Sequence, residues 1–206
     1  WIGSRPTRLQ GTFQILFLDF SRASGGSGTL AENFDRYCCM VMDLFGMSYE
    51  SYYFPGFAQE MKAQPDFVSK LNYLNLHAAE TGAHLYLIID EYDNFTNVVL
   101  NEQGKEVYHA LTHASGFYRE IFKKFKGMFE RIFMTGVSPV TLDDLTSGFN
   151  IGWNISTKHQ FNMMLGFSET DVREMLQYYK DARQLPGNVD ISAMIEEMRP
   201  WRSEER

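Results

Sequence analysis

Two adjacent carboxylates, Asp90 and Glu91, directly follow an apolar run from Leu85 to Ile89. Such a run is typical of a strand in a parallel sheet that is covered on both faces. The carboxylates would then lie at the carboxyl end of the strand, where open α/β sheets place their ligand crevice. A carboxylate pair there can hold Mg²⁺ and activate a water molecule for attack on a phosphate. A strand followed by a solvated acidic turn is the alternative interpretation.

A second polar group follows the strand predicted for residues 131–135, which stops at Gly136. Thr135 lies at the carboxyl end of this strand, where its hydroxyl would face the same crevice. Ser138 and Asp143 in the loop that follows are further candidates to line it. The alternative is that these side chains satisfy local backbone groups, as most such residues do.

Strands alternate with helices along the rest of the chain. A strand is predicted from Thr12 to Phe20. Helices are predicted over 29–45, 66–81, 105–113, 116–126, 168–180 and 189–198, three of them with capping residues, and an irregular connector over 47–57. Residues 161–167 are a candidate fourth strand. The alternation predicts an α/β fold, with a mainly parallel sheet and flanking helices.

The composition is that of a globular protein, since 44% of the residues are hydrophobic and 15% aromatic. The formal net charge of −7 argues against a general binder of nucleic-acid backbones. Cys38 and Cys39 are neighbours, so neither a normal disulfide nor a zinc site is expected, and we predict reduced thiols in the cytoplasm. No apolar run approaches the length of about 18 residues that a membrane span needs, so no membrane partner is expected.

Two segments together resemble a known family. Residues 87–95 read Leu-Ile-Ile-Asp-Glu-Tyr-Asp-Asn-Phe, and residues 135–151 begin Thr-Gly-Val-Ser-Pro-Val-Thr-Leu-Asp-Asp-Leu. Their pairing resembles the predicted AAA-ATPase-like family of bacteria. Residues 1–7, 17–21 and 165–168 also resemble that family, so the resemblance extends over almost the whole chain.

The resemblance implies a P-loop NTPase core of the additional-strand, catalytic-glutamate kind, with ATP and Mg²⁺ as cofactors. Asp90 would hold the metal, Glu91 would be the general base, and both would form the Walker B motif. Thr135 would be the catalytic sensor 1 residue. Asp93 and Ser138 are predicted to support the cofactor site.

The resemblance also implies functional groups outside these two segments. An arginine from this chain or from a partner would complete it, and Arg131 and Arg173 are candidates on position alone. The family often carries a restriction-endonuclease-like nuclease domain after the ATPase core, which would bring nucleic acid as a partner, and oligomers are compatible with it. We expect residues 1–180 to form a partial ATPase domain and residues 181–206 to begin a C-terminal helical segment.

The sequence departs from the family in its phosphate-binding loop. No Gly-x-x-x-x-Gly-Lys-Ser/Thr motif occurs, and the glycine-rich stretch 24–28 lacks the Gly-Lys-Ser/Thr ending. Walker A supplies the backbone N–H groups and the lysine that bind the β- and γ-phosphates. We therefore expect a fragment of a larger ATPase, missing the first strand of its sheet and inactive alone.

The amino-acid sequence is compatible with two other functions. One is a non-catalytic regulatory or protein-interaction domain that keeps an NTPase-like fold. The other is a metal-dependent nuclease site built from Asp90, Glu91 and Asp93. Alternate residues of a strand point to opposite faces and no positioned lysine follows, which disfavours the nuclease.

Overall fold

A computed structural model describes residues 6–23, 29–112, 117–137, 153–156, 158–161 and 167–199. Three parallel strands form one sheet in the order β1-β2-β3. They are β1 (Phe13–Asp19), β2 (His84–Asp90) and β3 (Arg131–Met134). The α-helices of the described residues are α1 (Leu30–Tyr49), α2 (Phe57–Ala63), α3 (Phe67–Thr81), α4 (Asn94–Thr112), α5 (Phe117–Met128), α6 (Glu169–Asp181) and α7 (Ile191–Met198).

The predicted fold class is confirmed. Parallel neighbours cannot be joined by a tight hairpin, so each connection must cross over the sheet. Helices α1 to α3 lie between β1 and β2 in the chain, and α4 and α5 lie between β2 and β3. The result is an all-parallel sheet with flanking helices, and the carboxyl ends of the three strands share one edge.

One face of this sheet carries the core. Leu16 lies opposite Leu87 and Leu18 opposite Ile89, and all four side chains are buried. Phe17, on the other face, is 51% exposed. The strand predicted to be covered on both faces is β2, whose second-face residues Tyr86 and Ile88 are half-buried, so the described residues cover this face of β2 in part. The buried residues of α1, α3 and α5 belong to the same core cluster as the inward-facing strand residues, so these helices cover the core face.

Aromatic residues fill the core beneath the carboxyl ends of the strands. Phe20 directly follows β1, and its ring centroid lies 5.0 Å from that of Phe34. Phe95, just after β2, packs on Phe34 at 4.9 Å and stacks on Tyr118 of α5 at 5.2 Å. Such ring pairs contribute beyond the area that they bury. Tightly packed aromatic side chains therefore support the carboxyl edge of the sheet.

Two tyrosines of α1 accept hydrogen bonds from β1 on the side where no described strand pairs with it. The Tyr49 hydroxyl accepts a hydrogen bond from the Ile15 N–H at 2.9 Å, and the Tyr37 hydroxyl accepts one from the Asp19 N–H at 2.8 Å. Burial raises the pKa of Tyr37 above its usual value. An edge strand whose N–H groups already have partners is a poor template for another strand. Helix α1 thus closes this side of the sheet.

Several helix boundaries agree with the sequence patterns. Thr29 forms the predicted capping box with Glu32, although α1 continues to Tyr49 rather than stopping at residue 45. Helix α3 begins after its Asp66 cap and ends at Gly82, whose φ of +67° suits glycine.

Two helices were not predicted as the structure has them. The stretch predicted to be an irregular connector contains the end of α1, a 3₁₀ turn (Glu50–Tyr52) and the start of α2. Helix α4 begins at Asn94 rather than at residue 105, and Gly104, with a φ of 84°, forms a kink inside it. Phe57 and Phe95 are both fully buried. Their tertiary packing stabilises helical structure in segments whose sequence alone did not predict it.

The chain divides into two compact units, residues 1–150 and 151–206. In the second, α6 starts with a Ser168–Asp171 capping box, and Leu176, Ile191 and Ile195 form a small core. Residues 159–161 form a 3₁₀ turn instead of the start of the predicted fourth strand, and 162–166 lie outside the described residues. The predicted domain boundary at residue 180 stays a prediction. In the described part of the chain, no helix has the length and apolar character of a membrane span.

Candidate functional site

The parallel pairing of β2 with β3 brings Asp90 and Thr135 together. Ile89 lies opposite Met134, and Asp90 and Thr135 come next on their strands. The Thr135 N–H donates to the Ile89 carbonyl at 2.9 Å, and the Thr135 hydroxyl donates to an Asp90 carboxylate oxygen. Asp90 is exposed. The two residues that sequence reasoning placed at one crevice are therefore hydrogen-bonded neighbours at the carboxyl edge.

Glu91 has a backbone conformation that is rare for a residue with a side chain. Its φ is +51°, in the left-handed region, which costs about 1 kcal/mol or more for a non-glycine residue. The Tyr92 N–H donates to the Thr135 carbonyl at 3.0 Å, and the Asn94 amide donates to Glu91 Oε2 at 3.0 Å. These contacts hold the turn and orient an exposed carboxylate. Sequence reasoning did not identify Asn94, whose signal is an amide three residues after the glutamate.

Asp93 differs from its acidic neighbours because it is only 2% exposed. Its carboxylate accepts one hydrogen bond from the Val137 N–H and another from the Asn97 side-chain amide, each at 3.2 Å. The carboxylate thus contacts the chain that leaves β3. Its predicted part in the cofactor site stays a prediction.

Gly136 is a site residue that sequence reasoning passed over. A Cβ added at this position would lie 2.6 Å from Asp93 Oδ1 and closer still to the Tyr92 ring. Such approaches are impossible without displacement, so only glycine lets the end of β3 pass this close to the turn after β2. The available signal was a glycine directly after the strand-end threonine.

Asp19 lies on the same edge, directly opposite Asp90 in the β1–β2 register. Its carboxylate accepts hydrogen bonds from the Ser21 N–H at 3.1 Å and from the Ser21 hydroxyl at 2.6 Å. These contacts are those of a capping residue on the 3₁₀ turn that follows β1. Asp19 adds negative charge to the edge while its oxygens serve its own turn.

Of the other candidate residues, Arg131 lies in the described part of the same unit, away from this edge. Arg131 begins β3 opposite Tyr86, four residues before Asp90, which is about 13 Å along a strand that rises ~3.3 Å per residue. Arg173 belongs to the second unit, where it donates to Ser192 and Glu169. Ser138 and Asp143 lie outside the described residues.

The oxygen atoms at this edge suit Mg²⁺ as one part of its coordination shell. Mg²⁺ is typically bound by one or two carboxylates together with phosphates and water. Asp90 is exposed and can fill that limited role. The described ranges contain no group of three or more His, Cys, Asp or Glu side chains that could hold a metal. Because Asp93 is buried against Val137, the three-carboxylate nuclease site is not assembled.

The chain belongs to the AAA-ATPase-like family, described as a predicted AAA-ATPase, whose model matches residues 1–146. No curated protein and no solved structure matches the chain.

Proposed function

We propose that this chain contributes the Walker B and sensor 1 elements of an ATP-hydrolysing site. The observation that carries the proposal is the hydrogen bond between Thr135 and Asp90 at the carboxyl ends of adjacent parallel strands. Membership of the predicted AAA-ATPase family supports the nucleotide class. The exposed carboxylate of Glu91 stands beside this pair on the following turn.

Each of the three side chains has a role in this proposal. Asp90 holds Mg²⁺, which when bound neutralises phosphate charge. Glu91 accepts the proton of the attacking water as general base. The Thr135 hydroxyl, now donating to Asp90, is positioned to donate to the γ-phosphate oxygen or to the attacking water.

The phosphate-binding loop has to come from outside these 206 residues, because they contain no Gly-x-x-x-x-Gly-Lys-Ser/Thr motif. Within the described residues β3 pairs with β2 alone, whereas the outer side of β1 is closed by Tyr37 and Tyr49. A strand carrying the loop would therefore pair with β3, next to Thr135.

Hydrolysis of ATP by the full-length protein tests the proposal. Replacing Glu91 by Gln removes the base but keeps the side-chain size, so kcat should fall by about 100-fold or more. Glu102→Gln is the matched control, because this exposed glutamate of α4 lies away from the edge. Equal rates for wild type and Glu91→Gln would remove Glu91 from its role.

A non-catalytic regulatory domain is the second candidate, and the missing phosphate-binding motif favours it. Calorimetry of the full-length protein with Mg-ATP discriminates between the two candidate functions. Binding tighter than about 100 μM would contradict a regulatory fold with an empty nucleotide site. Contact with nucleic acid through a nuclease domain, and assembly into oligomers, are further parts of the ATPase proposal.

A further inference from the structure

The turn after β2 and the chain after β3 are joined by one buried carboxylate. Asp93 accepts the Val137 N–H at 3.2 Å, and its second oxygen accepts the Asn97 amide at 3.2 Å. Asn97 lies one helical turn further along α4, and its backbone N–H donates to the Asp93 carbonyl at 2.9 Å. Asp93 is thus fixed to the first turn of α4 and holds the chain that leaves β3.

Gly136 and Asp93 fit each other sterically. The Asp93 oxygen occupies the space into which a side chain at position 136 would project. The Val137 side chain is 88% exposed, so its backbone N–H, rather than apolar packing, holds this residue at the edge. The carboxylate therefore determines the path of the backbone immediately after Thr135.

Thr135 is held from two sides by this arrangement. Its N–H bonds to Ile89 before the carboxylate pair, and its carbonyl accepts the Tyr92 N–H after the pair. The Tyr92 carbonyl in turn accepts the buried Tyr118 hydroxyl at 2.6 Å, which ties the turn to α5. Loss of the Asp93 contact would free the chain after Thr135, so the Thr135 hydroxyl would be placed by the two backbone bonds and by its own bond to Asp90, without support from the chain that follows.

We propose that Asp93 is a positioning residue, whose buried carboxylate fixes the Thr135 hydroxyl relative to the Asp90–Glu91 pair. The Asp93 side chain is only 2% exposed, and its two oxygens accept the Val137 N–H and the Asn97 amide. It acts through the Val137 N–H and through the space that Gly136 leaves open. The catalytic part of this inference rests on the proposed function, whereas the structural part does not.

Two variants remove the contact from opposite sides. Asp93→Ala removes the acceptor, and Val137→Pro removes the donor N–H. Val137→Ala is the matched control, because it shortens an exposed side chain and keeps the N–H. Asp93→Asn is the conservative variant, because it keeps an oxygen for Val137 and the Asn97 amide can turn to match it. If Asp93→Ala does not fold, the Val137 pair carries the test alone.

Amide hydrogen exchange is the first readout. In the full-length protein, Asp93→Ala and Val137→Pro should speed exchange of the Thr135 and Tyr92 amides by about tenfold or more, since local opening becomes easier. Val137→Ala and Asp93→Asn should stay near wild type. Unchanged exchange in Val137→Pro would overturn the proposal.

Steady-state kinetics is the second readout. The disruptive variants should lower kcat for ATP about 10- to 100-fold with KM changed less than about threefold, as expected for misplacement of a catalytic group. Faster exchange together with a kcat equal to that of Val137→Ala would make the contact merely structural and overturn the positioning role. If the wild-type protein shows no hydrolysis, the proposed function fails, and exchange still decides whether Asp93 holds Thr135.

Discussion

The helix layer around Lys70 and the sheet edge around Asp93 each contain a charged-type side chain that is only 2% exposed. In the helix layer, Lys70 of α3 donates to Asp43 of α1 at 2.7 Å. It also donates to the carbonyls of Met61 and Lys62 at 2.7 and 3.1 Å. All three ammonium protons are used, and three helices are joined at one point.

At the sheet edge the same kind of buried polar contact surrounds exposed chemical groups. Asp93 holds the exit of β3, while Asp90 and Glu91 beside it stay exposed, and Glu91 has a left-handed backbone. Conformational strain is tolerated where neighbouring contacts determine the conformation. A buried charged side chain with several partners therefore joins helices in the helix layer and fixes the chain beside exposed carboxylates at the edge.

The largest expected effect is in the helix layer. Lys70→Met keeps the length of the side chain but removes the ammonium, leaving Asp43 and two carbonyls without it. The free energy of unfolding should fall by about 3 kcal/mol, as for one partner lost from a buried pair. Urea denaturation measures it. Lys62→Met is the control, since that side chain is exposed and the change should be within about 0.5 kcal/mol.

A smaller stability loss with a local consequence is expected at the edge. Gly136→Ala forces a Cβ against the Tyr92 ring and the Asp93 carboxylate, which should cost about 2 kcal/mol by overpacking. Gly127→Ala in α5 meets no atom within 4 Å and should stabilise by up to about 1 kcal/mol. Chemical denaturation compares the two. The same sign for both changes would contradict the close approach at Gly136.

Tyr118 links the edge to the helices, and its removal should cost less again. Tyr118→Phe deletes the hydroxyl that donates to the Tyr92 carbonyl, so unfolding should become easier by about 1 kcal/mol. Tyr52→Phe, at a ring that is 65% exposed, is the control and should be near neutral.

The same variant has a signature in alkaline solution. Burial raises the pKa of Tyr118 well above its ordinary value of 10. The folded state therefore favours the neutral phenol, whose contribution is complete below pH 10 and is lost as pH rises through the higher folded value. Between these pH values the stability of Tyr118→Phe should decline less steeply than that of wild type. Parallel declines would contradict a buried, neutral Tyr118.

A similarly small effect on stability, with none at the sheet edge, is expected for a helix cap far from both regions. Thr29→Ala removes the side chain that caps α1, which should cost about 1 kcal/mol. Because this cap touches neither Lys70 nor the sheet edge, exchange of the Thr135 amide should remain that of wild type at temperatures where both proteins are folded. Faster exchange at Thr135 would show that the two regions are not independent.

Much of the fold follows from local patterns. The apolar run before Asp90 and the capping residues at the start of α1 predicted their elements, because these signals lie within one segment. The pairing of Asp90 with Thr135 was also within reach, since parallel strands end on one edge. Family resemblance supplied the expected roles of these residues, which neither pattern nor spacing alone gives.

Other features depend on contacts between distant segments. In the sequence, Asp93 resembles an exposed acidic residue of a turn. Its burial depends on contact with Val137, which lies 44 positions later. Gly136 reads as an ordinary breaker until the Tyr92 ring is placed beside it. Likewise, the half-exposed face of the sheet around Phe17 could not be foreseen, because the strand sequence alone does not show which helices cover it.

We propose that the edge formed by Asp90 and Thr135 binds a metal–nucleotide complex. Calorimetry of ATP binding to the full-length protein, with Mg²⁺ and with chelator, tests it most directly. Mg²⁺ should increase the affinity of the wild-type protein for ATP, and Asp90→Asn should lose about tenfold or more of this increase. Asp66→Asn is the control, because it keeps a capping residue on α3, and it should retain the full increase in affinity. An undiminished Mg²⁺ effect in Asp90→Asn would contradict the account.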